Sequence, residues 1–174
     1  MRFVAGAVAG LIAIVTLLVL IAFVIGRSLP VRHRATREAR LAASPDAVYA
    51  IVTDVARLPE WRSGMTRVEP LPPVEGRRRW REIAGGDAIL YEAMTEEPGR
   101  RLVTRIADPK LPFGGTWTYE LTADGSGTRL TITEDGEVYH PIFRFASRYV
   151  FGHHRTLETY LRDLERRVAG GSPR

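Results

Sequence analysis

Glu134 is the acid in this chain whose position has the clearest chemical consequence. Strand alternation through Leu130-Thr131-Ile132-Thr133-Glu134 puts its side chain on the face of Leu130 and Ile132. An unpaired carboxylate is costly on such a face, so Glu134 needs a partner or a ligand. His153, on the apolar face of a C-terminal helix, or an inward arginine such as Arg105 could be the partner, and the polar head of a bound molecule could be the ligand. Should the strand end earlier, Glu134 lies past the sheet edge and is solvated; the spacing allows both.

Other chemistries find little support. His153 and His154 would point about 100° apart on a helix, there is no H-E-x-x-H motif, and His33 lies within a run of arginines, so no metal site is expected. The chain has no Cys, which removes disulfides, thiolate nucleophiles and cysteine metal ligands together. It also lacks Asn and Gln, leaving recognition to hydroxyls, Trp, His and charged groups. Lys110 is the single lysine and sits in a Pro-flanked loop, a poor setting for a Schiff base. Gly85-Gly86 and Gly114-Gly115 bound strands and do not open helices, and Gly125-Ser126-Gly127 lies in a hairpin tip, so neither a phosphate loop nor a nucleophile elbow is present. No nucleophile with a base beside it can be named, and no cofactor is expected.

The elements that must position Glu134 begin after a long apolar segment. From Phe3 to Gly26 there is no charged residue, and Arg27, Arg32, Arg34, Arg37 and Arg40 follow. At ~1.5 Å rise per residue the segment can cross a ~30 Å hydrocarbon core. Its fifteen Leu, Ile, Val and Phe residues each favour insertion by about 0.3 to 0.6 kcal/mol. It is too long for a cleaved signal, and Phe23-Val24-Ile25-Gly26-Arg27 offers no small-x-small site. The expectation is a single-pass anchor in the cell membrane. Since Arg2 alone precedes the span and five arginines follow it, the soluble part should face the cytoplasm. Gly6 and Gly10 form a G-x-x-x-G pair that could bring two spans together as a homodimer.

The resulting plan is an anchor over residues 1–28, a basic linker and the start of the first strand over 29–40, one domain over 34–169, and a disordered tail over 170–174. Removing Arg2 from the 25 basic residues leaves 24 against 20 acids, with the excess in the collar after the span. No interleaved stacking aromatics or nucleic-acid module accompanies that charge. It reads instead as charge held against anionic membrane lipid, at about 1 kcal/mol per residue near the surface.

Within the domain, Arg34 to Ala43 reads as a strand, with Ala35, Arg37, Ala39 and Leu41 on one face. Ser44-Pro45-Asp46 opens a helix, with serine as N-cap and proline at the first position. Alternating runs then predict strands at 66–71, 77–84, 88–96, 101–107, 115–123 and 128–136, broken at Pro72-Pro73, Gly85-Gly86, Pro98-Gly99, the 109–114 loop and Asp124-Gly125-Ser126-Gly127. From Ile142 to Val168 apolar residues recur at helical steps, predicting one long helix opened by Pro141, with Gly152 as a bend or a close approach to the sheet.

This order, together with Ala42-Ala43-Ser44-Pro45-Asp46-Ala47-Val48-Tyr49, Asp54 with Leu58-Pro59-Glu60-Trp61, Gly115-Thr116-Trp117-Thr118-Tyr119, and Gly127-Thr128-Arg129-Leu130 leading to Glu134-Asp135-Gly136-Glu137, resembles the START-like polyketide cyclase/dehydrase and lipid-transfer (SRPBCC) superfamily. The resemblance covers nearly everything after the anchor. It implies an α+β helix-grip fold: a seven-stranded antiparallel curved sheet wrapped around a long C-terminal helix, with an apolar cavity between them. It further implies that Trp80, Tyr91, Trp117, Tyr119, Phe145 and Tyr149, with Glu134 and His153, surround a lipid or other hydrophobic small molecule. Those aromatic residues could instead fill a core, which would leave an interaction module. The superfamily also contains aromatases and cyclases, in which case Glu134, His153 and a tyrosine would serve as acid and base.

Overall fold

The computed structural model describes residues 2–152 and 154–170. Helix α1 (Arg2–Ser28) is followed after a three-residue link by β1 (Arg32–Leu41), α2 (Pro45–Thr53), a 3-10 turn (Val55–Arg57) and α3 (Leu58–Trp61). Six strands come next: β2 (Met65–Val74), β3 (Arg77–Ala84), β4 (Asp87–Glu97), β5 (Arg101–Ile106), β6 (Phe113–Asp124) and β7 (Gly127–Val138). The chain ends in α4 (Pro141–Ala146), a π-helical turn (Ser147–Phe151) and α5 (Arg155–Val168). All seven strands form one antiparallel sheet in the order β1-β7-β6-β5-β4-β3-β2. Together with the C-terminal helices, this is the helix-grip arrangement.

Local chemistry explains most of the boundaries. The Ser44 hydroxyl accepts from Ala47 N–H at 3.3 Å and Pro45 follows it, which fixes the start of α2. Val48 and Val52, one helical turn apart, are buried beneath it. Strand β2 runs through Pro72 and Pro73 to Val74, past the break expected there. It is an edge strand, so the missing N–H groups cost no ladder bonds, and a register shift between Leu71 and Val74 absorbs the prolines.

The arginines expected to form a lipid-held collar are mostly strand residues. The link is only 29–31, and across β1 Arg32 pairs with Glu137 at 3.0 Å, Arg34 with Asp135 at 3.3 Å, Arg37 with Glu158 at 3.0 Å and Arg40 with Asp124 at 3.2 Å. Arg32, Arg34 and Arg40 share the exposed face of β1, whereas Arg37 stands on the face of Ala35 and Ala39 and meets α5.

The single long terminal helix is corrected. Gly152 adopts φ 72° and ψ 153°, a conformation that only glycine takes at low cost, and the helix ends there before α5 starts at Arg155. The predicted tail lies, beyond Gly170, outside the described residues.

The core is built from Leu130 and Ile132 of β7, Val48 of α2, and Leu157 and Leu164 of α5, each fully buried. One buried carboxylate fastens α5 to the loop before β2. Asp163 is 3% exposed, accepts from Ser63 N–H at 2.7 Å and Ser63 Oγ at 2.9 Å, and pairs with Arg166. Asp163→Ala would leave the Ser63 amide without its acceptor and should lower stability by about 1 to 3 kcal/mol. Urea unfolding of the full chain in detergent micelles checks this, and an unchanged midpoint would show that the clamp contributes nothing.

Helix α1 is bare from Gly6 to Ile21, and Gly6 and Gly10 lie on that open surface. Its last turns differ: Ala22, Phe23 and Ile25 are partly covered and Gly26 is buried, because α4 packs there. A Cβ at Gly26 would overlap the Pro141 carbonyl, and Arg144 donates to the Leu29 carbonyl at 2.8 Å.

Candidate functional site

The inner face of the sheet, α2, α3 and the C-terminal segments enclose a cavity of about 550 Å³. Cross-strand register sets its walls. Trp80 faces Tyr91, with rings stacked at 5.9 Å; Thr104, Trp117 and Glu134 follow one another across β5, β6 and β7; and Gly115, Gly136 and His33 form the next row. Gly136 leaves the room that the His33 ring occupies, since a Cβ there would overlap it. Tyr160 of α5 closes the opposite wall and meets Trp61, Trp117 and Tyr119 edge-on at 5.3 to 5.7 Å.

Two clusters of charged and ionisable side chains stand within this lining. In the first, Arg62 donates to Glu82 at 2.7 Å, Trp80 Nε1 donates to the other Glu82 oxygen at 3.0 Å, and the guanidinium sits 5.1 Å from the centre of the Tyr160 ring. Burial opposes the Arg62 charge, but Glu82 and the surrounding tyrosines more than offset it and hold the group protonated. In the second, Glu134 Oε1 lies 3.5 Å from His33 Nε2, while Oε2 is buried and has no hydrogen-bond partner among the described residues. The concave wall thus presents a carboxylate oxygen that is desolvated and still able to accept.

Burial raises the pKa of Tyr91 and Tyr119, and it pushes Tyr160 up to about 12 despite the opposing Arg62 charge. The sign of the consequence follows directly. Below pH 10 both folded and unfolded states keep the Tyr160 proton; between 10 and about 12 the unfolded chain releases it and the folded chain does not. Stability should therefore fall over that window, by roughly 3 kcal/mol from Tyr160 alone. Urea midpoints measured from pH 9 upward should decline only above about pH 10, and a flat profile there would show that this hydroxyl is solvated.

Of the residues expected around a ligand, Trp80, Tyr91, Trp117, Tyr119 and Glu134 line the cavity. Phe145 and Tyr149 do not: they pack on each other at 5.1 Å, and Tyr149 is 60% exposed. The π-helical turn and the break at Gly152 put this segment out of phase with the 3.6-residue period that had turned both rings inward. Phe143, Ala146 and Ser147 line the cavity in their place. His153 lies outside the described residues. Arg105 is not the partner of Glu134: it points to the outer face and binds Glu92 at 2.7 Å. There Arg77, and after it Arg105, hold the Glu92 carboxyl below the usual range.

Sequence reasoning missed Arg62, Glu82 and His33 as cavity residues. Glu82 was available by the argument used for Glu134, since it stands two residues from Trp80 in the same strand. His33 continues the inward alternation of Ala35 but was masked by the arginines around it. Arg62 follows a four-residue helix, too short to show a periodic face.

A family model described as polyketide cyclase / dehydrase and lipid transport matches residues 32–169. The granaticin polyketide synthase bifunctional cyclase/dehydratase of Streptomyces violaceoruber is 30% identical over 119 residues, covering 61% of this chain and 36% of that protein. The chain therefore spans about a third of the length of that relative. Among solved structures, a START superfamily protein from Mycobacterium smegmatis superposes with a TM-score of 0.64 at 20% identity, covering 79% of this chain and 98% of that one. An aromatase/cyclase from Streptomyces sp. R1128 does so with a TM-score of 0.63 at 19% identity, covering 80% and 99%. These likenesses establish the fold; the match over residues 32–169 establishes more, and the chain belongs to the polyketide cyclase / dehydrase and lipid transport family.

Proposed function

We propose that this chain holds a lipid or another hydrophobic small molecule in the cavity while α1 crosses the cell membrane once, with the domain on the cytoplasmic side. One observation carries the reading: a cavity of about 550 Å³ walled by aromatic rings retains a buried Glu134 oxygen that has no hydrogen-bond partner among the described residues. A space of this size falls within the range of small-molecule sites. An unsatisfied carboxylate oxygen in it is costly to the empty protein, so its presence fits a ligand that donates to it. The ligand class is then a largely apolar body carrying a hydroxyl or another hydrogen-bond donor.

Glu134→Leu tests this, because it should act on stability and binding in opposite directions. Removing the unsatisfied group should leave the unfolding midpoint unchanged or raise it, by about 1 to 2 kcal/mol. The same change should weaken binding of 1-pyrenedecanol at least tenfold, about 1.4 kcal/mol, and affect 1-decylpyrene far less. Equal losses for the two probes would remove Glu134 from recognition. Failure of either probe to bind the unaltered chain would favour an interaction module with no ligand.

A second reading, a cyclase or dehydratase, is favoured by the Glu134–His33 contact on the cavity wall and by the cyclase/dehydratase relative. In a dehydration, one of the pair would take a proton from the carbon beside a carbonyl while the other protonates the departing hydroxyl. Turnover of a β-hydroxy ketone that is lost in both Glu134→Gln and His33→Ala would select this reading over simple binding.

A further inference from the structure

The contact between α1 and α4 ties the presumed anchor to the cavity wall. Helix α4 packs on the last turns of α1, with Pro141 against Gly26, where Ala22, Phe23 and Ile25 are partly covered; all four α1 residues precede Arg27, the first charged residue after the apolar stretch. Ala22 lies ~7.5 Å along the helix axis from Arg27 at ~1.5 Å per residue. If α1 crosses a bilayer, α4 sits at the depth of ~5 to 10 Å that interfacial helices occupy at the headgroup and acyl boundary.

The surface of this segment suits that position. Phe143, Tyr149 and Val150 are 51%, 60% and 66% exposed, and the flanking Arg148 is exposed as well. Large apolar side chains left bare on a helix that touches a span, with arginine beside them, are expected at a lipid interface. Phe143 is at once exposed and part of the cavity lining, and Ala146, Ser147 and Gly152 complete the same wall. The wall nearest the anchor thus includes a π-helical turn that ends at a glycine in a conformation few other residues adopt, and at Phe143 it reaches the exposed surface.

We propose that α4 and the turn after it lie in the headgroup layer of the bilayer that α1 crosses, and that the cavity exchanges its apolar ligand directly with the lipid phase. This rests on α1 being a span, so the experiment separates the two claims. The chain has no Cys, so single cysteines at Ala13, Val150 and Ser126 can each carry an NBD fluorophore in the full chain. Ser126 is the distal control, since β7, with 12 residues, puts it ~40 Å from the α4 end at ~3.4 Å per residue. In phosphatidylcholine and phosphatidylglycerol vesicles, lipids with a deep nitroxide should quench Ala13, lipids with a shallow nitroxide should quench Val150, and neither should quench Ser126. Quenching at Ala13 with Val150 behaving like Ser126 overturns the lipid-facing mouth and leaves the anchor standing. An unquenched Ala13 removes the anchor, and the proposed mouth with it.

A second arm reads exchange itself. With 1-decylpyrene supplied in the vesicles, energy transfer from Trp80 and Trp117 reports uptake. The double variant Tyr149→Glu/Val150→Glu should slow uptake at least fivefold while reaching the same plateau. An unchanged rate overturns the proposal, and so does the absence of uptake by the unaltered chain.

Discussion

Replacing Arg62 with Met should destabilise the domain by about 3 kcal/mol, because it leaves the Glu82 carboxylate facing an apolar space without its counter-ion. The side chain of Glu82 is only 10% exposed, and Trp80 Nε1 is its other partner. Removing both charges is a different matter. Arg62→Met with Glu82→Met should recover most of the loss, since the desolvation of each ion disappears along with their attraction. Urea unfolding of both variants in detergent micelles gives the comparison. A single variant as stable as the parent would mean that water reaches Glu82 and that this end of the cavity is wet.

A loss of similar size, on the order of 3 kcal/mol, is expected from Gly115→Ala, this time through the backbone. Gly115 has φ +127°, and a Cβ there would overlap the carbonyl oxygen of Asp135 and the Cα of Gly136 on the paired strand. Neither obstacle can rotate away. Gly114→Ala is the matched control, because its Cβ would meet the hydroxyl end of Tyr139, which can move. Thermal unfolding should show a large decrease for the first and a small one for the second. Equal decreases would place the cause in general loop tightening instead of the β6–β7 ladder.

What could be read from the sequence divides along physical lines. Period-two alternation and turn residues located β3 without error and the other strands to within a few residues, because each strand has one face against the core and the pattern is local. The same logic brought Trp80, Tyr91, Trp117, Tyr119 and Glu134 to one surface. It failed where a long-range contact decides the outcome. Nothing near Arg37 or Arg40 in sequence shows that Glu158 and Asp124 will sit beside them. The terminal helix failed for another reason: heptad-like spacing from Ile142 to Val168 survives a π-helical turn in the sequence but not in space, so Phe145 and Tyr149 were turned the wrong way. Gly152 was the available signal, and its full effect depends on a backbone conformation that composition does not specify.

The three prolines of β2 bear on a hazard that grows when copies of a chain are confined to a plane. Strand β2 is a free rim of the sheet, and unsatisfied N–H and C=O groups along such a rim are a template for another molecule. Pro70, Pro72 and Pro73 take three N–H donors out of this edge strand, and the register shift after Leu71 bends what remains. Two molecules meeting rim to rim cannot zip into a continuous ladder. Whatever crowding the chain experiences, its encounters through this edge should stay brief and reversible.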